Sequence, residues 1–493
     1  MQDQGNTSAV ISRPGHDSSS VVEIGGGPLR AEQIVRVAGG APVALAPHVL
    51  PALERACLQA AAISERRAVY GRSTGVGANR LTAVDPRDTE HGMRLLRSHA
   101  ADAGAVIPAP TVRAMLAIRL SQLARGKSGI EPRIVAGLER MLRTGALPEL
   151  RELGSIGTAD LAALAGTALA LTGERPTAVP FEPLAPFGME SALPFMSSSA
   201  LTLARAVLAL EELRRLDRAG RVIAALSARA VRANTQAFSE AAAQACAAPG
   251  AVRVAREMRL LTGRIPYPAR VQDPFGFRAY VPSQAAVVAA MDDLRVRVER
   301  LASAGQENPL FDFRHSRVVH HGNFHQVALG LAVDALNLGL AQSAPLVLAR
   351  IAMLHDPMFN GGRPFLATGP AGSSGHMMTE YIAAAAAAEL RNAAQPASLG
   401  SVVLSRGAEE DASFASQAVV QLERAVRHYR PLLAVELLSA HRAAHQQGTA
   451  MPGRLDAVAA RLREALPVVD EDHDLRPEME KAQELLAELA VML

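Results

Sequence analysis

Tyr70-Gly71-Arg72-Ser73-Thr74-Gly75-Val76-Gly77-Ala78-Asn79-Arg80 sets a tyrosine directly before a glycine-rich loop. The glycines free the backbone for a tight turn in which N–H groups converge on one spot. Taken alone, the string suits either a phosphate cradle or a plain turn. The Walker lysine is absent, and no strand-then-helix context supports a dinucleotide fold.

Outward from this loop, apolar residues recur at helical spacing. Val112, Met115, Leu116, Leu120 and Leu123 form one stripe, Ile134, Leu138, Met141 and Leu142 a second, and Leu455, Val458, Leu462 and Leu466 a third. A last helix is expected from about Pro477, a residue suited to a first helical turn. The 493 residues are 49% hydrophobic but only 3% aromatic, so the core must be built from Ala, Leu and Val, which favours helix. A net charge of +3 argues against a partner recognised through its phosphates. Cys57 and Cys246 are too few for a disulfide framework and lack metal-ligand spacing, which points to a reducing, cytoplasmic setting. The alanine run Tyr381 to Leu390 is far shorter than the roughly 20 residues of a membrane span, so no membrane partner is expected. Irregular, Pro/Gly-rich segments are expected at Pro176 to Pro194, Leu261 to Pro282 and around Asn360 to Gly375. The expected organisation is a disordered tail at 1–25, an N-terminal mixed domain at 26–200 and a helical bundle at 201–493.

Several further strings stand in order along the chain. RSHAADAG (97–104), GKSG (126–129), LGSIGTADLAALA (153–165), VQDPFGFR (271–278), ENPL (307–310), HGNFH (321–325), GSSGHM (372–377), PASLGSV (396–402) and EED (409–411) follow YGRSTGVGANR. Together they resemble the aromatic amino acid ammonia-lyase family, with histidine ammonia-lyase as the nearest branch. Ser98-His99-Ala100 stands where that branch carries a histidine associated with its imidazole-bearing substrate. The resemblance implies a mostly α, long-helix bundle, a homotetramer, and active sites shared between subunits.

The departure lies at the centre of the family's chemistry. An Ala-Ser-Gly tripeptide there cyclises and loses water to give methylidene-imidazolone, the electrophile that activates the substrate for ammonia loss. Here the segment reads Gly154-Ser155-Ile156-Gly157-Thr158-Ala159-Asp160, one residue shorter and without that serine. Gly157, Thr158 and Ala159 can be laid over the tripeptide. Thr dehydration would then give a methyl-substituted alkene, and the Ala159 nitrogen is more hindered than a glycine nitrogen. An amide serving prosthetic group and substrate has become Met196, whose thioether donates no hydrogen bond. The family's GQP after GNFH is Gln326-Val327-Ala328, and a family tyrosine is Phe275. The expectation is therefore an enzyme without this electrophile and without a metal, since His315, His320, His321 and His325 lack zinc spacing.

What survives matches functional positions of the family. Tyr70 matches the base that removes a substrate proton; its reference pKa of about 10 must fall for that role, and loop N–H groups with a nearby arginine are the expected cause. Arg278 matches the arginine that pairs with the substrate carboxylate, and its planar fork suits bidentate binding. Gln272, Asn323 and Phe324 match pocket-lining positions, and Glu410 an acid near the substrate's amine or imidazole. Each has a plainer reading: Arg278 paired with Asp273, Glu410 a solvated helix start, Phe324 ordinary core, Asn323 bonded to loop backbone, His99 bonded within its helix.

These survivors suit proton transfer on a small carboxylate or carbonyl substrate that supplies its own activation: elimination, conjugate addition, cyclisation or isomerisation, with Tyr70 as general acid or base. Two alternatives stand beside it. One is a histidine or aromatic amino acid ammonia-lyase with an atypical electrophile from Gly157-Thr158-Ala159. The other is a ligand-binding homologue without turnover.

Overall fold

The computed structural model describes residues 20–492. The chain is mostly helical, and long helices dominate it: Ala200–Ala230, Tyr280–Ala302, Val327–His355 and Ala415–Gln446. The described strands form three two-stranded sheets. Most of the tail expected at 1–25 lies outside the described residues. Its end does not behave as a tail: Val22–Ile24 is a strand paired in parallel with Val43–Leu45, its Val22 and Ile24 buried. Val-Glu-Ile is a short alternating run with two β-branched residues, a signal hidden by the Gly/Ser-rich stretch before it.

Two compact units divide the chain discontinuously. The first runs up to Val207 and adds Val298–Gln326 and Ser401–Ala412; the second holds Leu208–Arg297, Val327–Gly400 and Ser413 onward. A contiguous boundary at residue 200 does not describe this arrangement, because the HGNFH and EED strings belong with the Tyr70 loop.

In the first unit the stripe from Val112 to Leu123 lies on helix Ala109–Leu123, which is buried on every side, Arg119, Ser121 and Gln122 included. The sequence pattern marked one face of a helix that has no solvent face. It packs against Ala31–Ala38 and Pro132–Thr144. The latter ends on Gly145 at φ 75°, a left-handed cap that a side chain would strain. Of the segments expected to be irregular, Pro176 to Pro194 ends instead in the helix Met189–Met196, which carries Pro194 inside it.

In the second unit Val327–His355 packs against Met377–Ala393 and Ala415–Gln446, and the last helix, Arg476–Met492, starts one residue before Pro477. At its centre the buried Arg350 guanidinium grips Glu436 through Nε at 2.6 Å and Nη2 at 2.8 Å, while Ser227 donates to the same carboxylate at 2.8 Å. Two stretches, Met189–Ala230 and Val327–His355, are long and apolar enough to cross a membrane, which the alanine run did not reveal. The most apolar part of the first is 89% buried, as in a core helix, whereas that of the second is 50% buried.

Candidate active site

Tyr70 opens a turn that closes on itself. Ser73 N–H donates to the Val69 carbonyl at 2.9 Å, and Val69 N–H returns a bond to Ser73 Oγ at 2.8 Å. The loop then comes back over the ring, and Gly77 N–H donates to the Tyr70 hydroxyl at 2.7 Å. Gly77 has φ 55°, and a Cβ there would stand 2.5 Å from Ser405 Oγ, so only glycine allows this approach. The neighbouring Ala78 N–H donates to Ser405 Oγ at 2.8 Å, which fastens the loop to segment 401–412. Ser405 and Arg406 both sit at left-handed φ, 51° and 56°, strain of the kind that collects at functional sites.

Electrostatics overturn one expectation. Burial raises the Tyr70 phenol above its usual value; the Gly77 N–H and Arg80 act downward, Glu409 adds to the rise, and the net direction is up. Only one loop N–H reaches the hydroxyl, and it does not repay the lost water. In this chain alone Tyr70 rests as a phenol.

The shortened segment is held from both sides. The Gly157 carbonyl accepts from Gln326 N–H at 3.2 Å, Gly157 N–H donates to Ser155 Oγ at 3.3 Å, and Ser155 Oγ donates to the Ala159 carbonyl at 3.2 Å. Ala159 takes φ 89° despite its Cβ. Asp160 is buried; it accepts from Thr202 N–H and Oγ1, both at 2.8 Å, and so caps the start of Ala200–Ala230. Asp160 N–H donates to the Ser198 carbonyl at 2.7 Å, which joins the segment to the buried Met196–Ser198 stretch. Beneath that stretch the buried Arg119 donates to the carbonyls of Pro194 and Phe195, to Gln122 Oε1 at 3.1 Å and to Glu307 at 3.0 Å.

The HGNFH loop belongs to the same unit as Tyr70. Tyr70 N–H donates to His320 Nε2 at 3.2 Å, Asn323 N–H donates to His321 Nδ1 at 3.0 Å, and His325 Nε2 lies 3.3 Å from Asp411. Asn323 and Glu410 are exposed, and Phe324 is half-buried. His99 follows the plainer reading: its Nδ1 meets the Leu95 carbonyl of its own helix at 2.8 Å and Ser98 Oγ at 3.1 Å.

In the second unit Gln272, Phe275 and Arg278 gather. The Gln272 amide, its oxygen assigned toward Arg278, accepts from the guanidinium, with Nε at 3.2 Å and Nη2 at 3.3 Å. Arg278 also lies 4.4 Å from the centre of the Phe275 ring, a cation–π contact. The Asp273 partnership is not formed, because Asp273 is taken by Arg270 Nε at 2.8 Å and by Asn234 N–H at 2.5 Å. Arg278 stays exposed in this unit. Asp160, Ser405, His320 and His321 were missed as site residues. Each acts on a partner far away in sequence, which local spacing cannot show. No group of three or more metal-ligating side chains occurs among the described residues.

The family description "Aromatic amino acid lyase" matches residues 29–464. A histidine ammonia-lyase of Anaeromyxobacter sp. (strain K) is 31% identical, over 93% of this chain and 97% of its own. Among solved structures, an ergothionase from Treponema denticola superposes with a TM-score of 0.90 at 22% identity, over 96% of this chain and 100% of that one. The histidine ammonia-lyase of Trypanosoma cruzi does so at 0.87 and 23%, over 96% and 94%. The folds agree over nearly full length, and a match spanning both units sets the Tyr70 loop, the Arg278 cluster and the HGNFH loop in one familiar order: the chain belongs to the aromatic amino acid lyase family.

Proposed function

We propose that this chain eliminates an amine across the Cα–Cβ bond of a histidine-type substrate whose nitrogen is already quaternary, and that it does so without an electrophile made from its own backbone. The turn at Gly157-Thr158-Ala159 carries this reading. Cyclisation there would require the Ala159 nitrogen, hindered by its own Cβ, to attack a Gly157 carbonyl engaged by Gln326 N–H, and Met196 stands where the resemblance implies an amide. These residues do not fit methylidene-imidazolone, so no step is routed through it.

A primary amine leaves poorly, and the electrophile cures that in the family. A trimethylammonium group needs no such help, because it departs as a neutral tertiary amine. The ergothionase of the same fold is described as degrading ergothioneine, a histidine betaine, and this makes a histidine betaine the first substrate to test. In the step, the Tyr70 phenolate, its own proton first given up to solvent, takes the β-proton, the C–H electron pair becomes the Cα=Cβ bond, and the amine leaves with the C–N pair. Arg278 holds the carboxylate. Tyr70 is a phenol at rest, and the cation of the bound substrate lowers its pKa where a neutral ligand would not. The predicted rate therefore rises with pH above neutrality.

The test is release of trimethylamine and appearance of a conjugated acrylate from ergothioneine, with histidine alongside. Turnover of the betaine and none of histidine is expected, and Tyr70→Phe should lower it by about 10²–10⁴-fold. Near-wild-type activity of that variant would remove the base assignment. A second reading, histidine ammonia-lyase with an atypical electrophile, draws on the 31% identity to a histidine ammonia-lyase. It requires a loss of two waters from the peptide spanning 153–164 and turnover of histidine. Tight binding without turnover of either compound would favour a ligand-binding homologue.

Val327, Leu331 and Leu338 expose an apolar face on Val327–His355. The homotetramer implied by the resemblance would cover such a face.

A further inference from the structure

We propose that His320 and His321 are positioning residues that hold Tyr70 and Asn323 through bonds only neutral imidazoles can make, so that protonating the pair switches the site off in acid. The proposal rests on the reading of Tyr70 as the base.

The geometry is paired. His320 takes the main-chain N–H of Tyr70 at 3.2 Å, across 250 residues of sequence. Its neighbour His321 takes the main-chain N–H of Asn323 at 3.0 Å and is itself anchored, its own N–H donating to Asn308 Oδ1 at 2.9 Å. A ring nitrogen accepts a hydrogen bond only when it carries no proton. His320 must therefore keep Nε2 bare and its proton on Nδ1, while His321 keeps Nδ1 bare and its proton on Nε2. A second proton on either ring turns the acceptor into a donor that faces another N–H. The main chain of Tyr70 or of Asn323 then loses its partner.

The surrounding groups set the conditions. Arg80 and Glu409 act on the Tyr70 hydroxyl in opposite senses. His321 is pushed below the usual histidine range by burial and by neighbouring His320, against the backbone of Glu307. His325 and Asp411 pair with each other at 3.3 Å, and Asp312, His315 and Arg317 form their own cluster on the preceding hairpin. His320 is exposed, and replacing it disturbs no core. At the other end of the ring, Gly77 and Ser405 fix the hydroxyl through the loop. Tyr70 is thus held at its main chain by a titratable group and at its hydroxyl by groups that do not titrate. Acid frees one end only.

The experiment compares full-length wild type with His320→Gln, His320→Leu and Tyr70→Phe in two readouts. One is the pH profile of kcat/KM on the betaine; the other is hydrogen exchange at the Tyr70 amide from pH 5 to 9, corrected for intrinsic rates. The wild-type profile is expected to fall by about tenfold per pH unit on its acid side, together with the protection of the Tyr70 amide. His320→Leu should lower kcat by about 10–100-fold across the range with little change in KM. Gln, whose amide oxygen accepts at every pH, should restore most of that loss at pH 8 and keep the Tyr70 amide protected down to pH 5, leaving on the acid limb only the fall that the deprotonation of Tyr70 itself imposes. A Gln profile that superimposes on wild type, with Tyr70 exchange indifferent to both pH and substitution, would overturn the proposal. Full activity of Tyr70→Phe would instead remove the base reading. Exchange needs no turnover, so it decides the role of His320 in either case.

Discussion

Each unit buries one arginine against one glutamate, and the two pairs are used differently. In the second unit Arg350 lies fork-to-fork on Glu436, with Ser227 completing the carboxylate. Burial alone would lower that guanidinium, but Glu436 overrides it and the net direction is up. In the first unit Arg119 gives Glu307 a single nitrogen, Nη1 at 3.0 Å, which it shares with Gln122, and spends Nε and Nη2 on the carbonyls of Phe195 and Pro194. Burial wins there: the Arg119 guanidinium is pushed down despite Glu307, and the second Glu307 oxygen meets no side-chain donor. The same two residue types make a closed pair that fastens helices and an open pair that holds the end of Met189–Met196 under the shortened turn. A buried charge contributes to stability only as far as its partners satisfy it, and the remainder is available for positioning.

The comparison breaks most sharply at Glu436. Glu436→Gln leaves Arg350 buried without a counter-charge, and urea denaturation should show a loss of about 3–5 kcal/mol. Little change in stability would mean that the pair is no fastening.

Acid sharpens the contrast next. Buried His376 is pushed down to about 3 from the usual 6.5 by burial first and then by Arg442 and nearby histidines; burial lowers His355 and His441 as well. These rings are neutral when folded and take up protons on unfolding. Their contribution is whole above pH 6.5 and declines as pH falls through the unfolded value. His376 alone should cost about 2 kcal/mol at pH 5. Denaturation at pH 7.5 and 5, with hydrogen exchange to locate the loss, should find Met377–Ala393 opening before Ala109–Leu123, and His376→Phe should reduce the difference between the two pH values.

The smallest effect on stability is expected at Glu307→Gln, about 1–2 kcal/mol, because Arg119 keeps its carbonyl acceptors. Its signature should be a fall in turnover out of proportion to that loss, read by kcat on folded protein. If stability drops as far as in Glu436→Gln while turnover per folded molecule is unchanged, the two pairs are alike.

The helices were legible because their signal is local. The stripes at 112–123, 134–142 and 455–466 and the proline at 477 each announce an element within a few turns. The family was legible because its strings keep their order. What the sequence hid depends on the approach of distant segments. Arg119 carries no local mark of its role, because its partner Glu307 lies 188 positions away. His320 belonged to a histidine run with no metal pattern, and its partner is the main chain of Tyr70, which no side-chain spacing records. The direction of the Tyr70 shift was misjudged for a related reason: a glycine-rich string shows that N–H groups can converge, but not how many arrive or how much water is lost.

Asp160 both ends the altered turn and starts the helix Ala200–Ala230. A hinge bolted at one side tolerates a change in the length of its free leaf. One residue can be lost between Gly154 and Asp160 while the scaffold beyond stays in register, so the length of the turn is free to change where the helix it precedes is not.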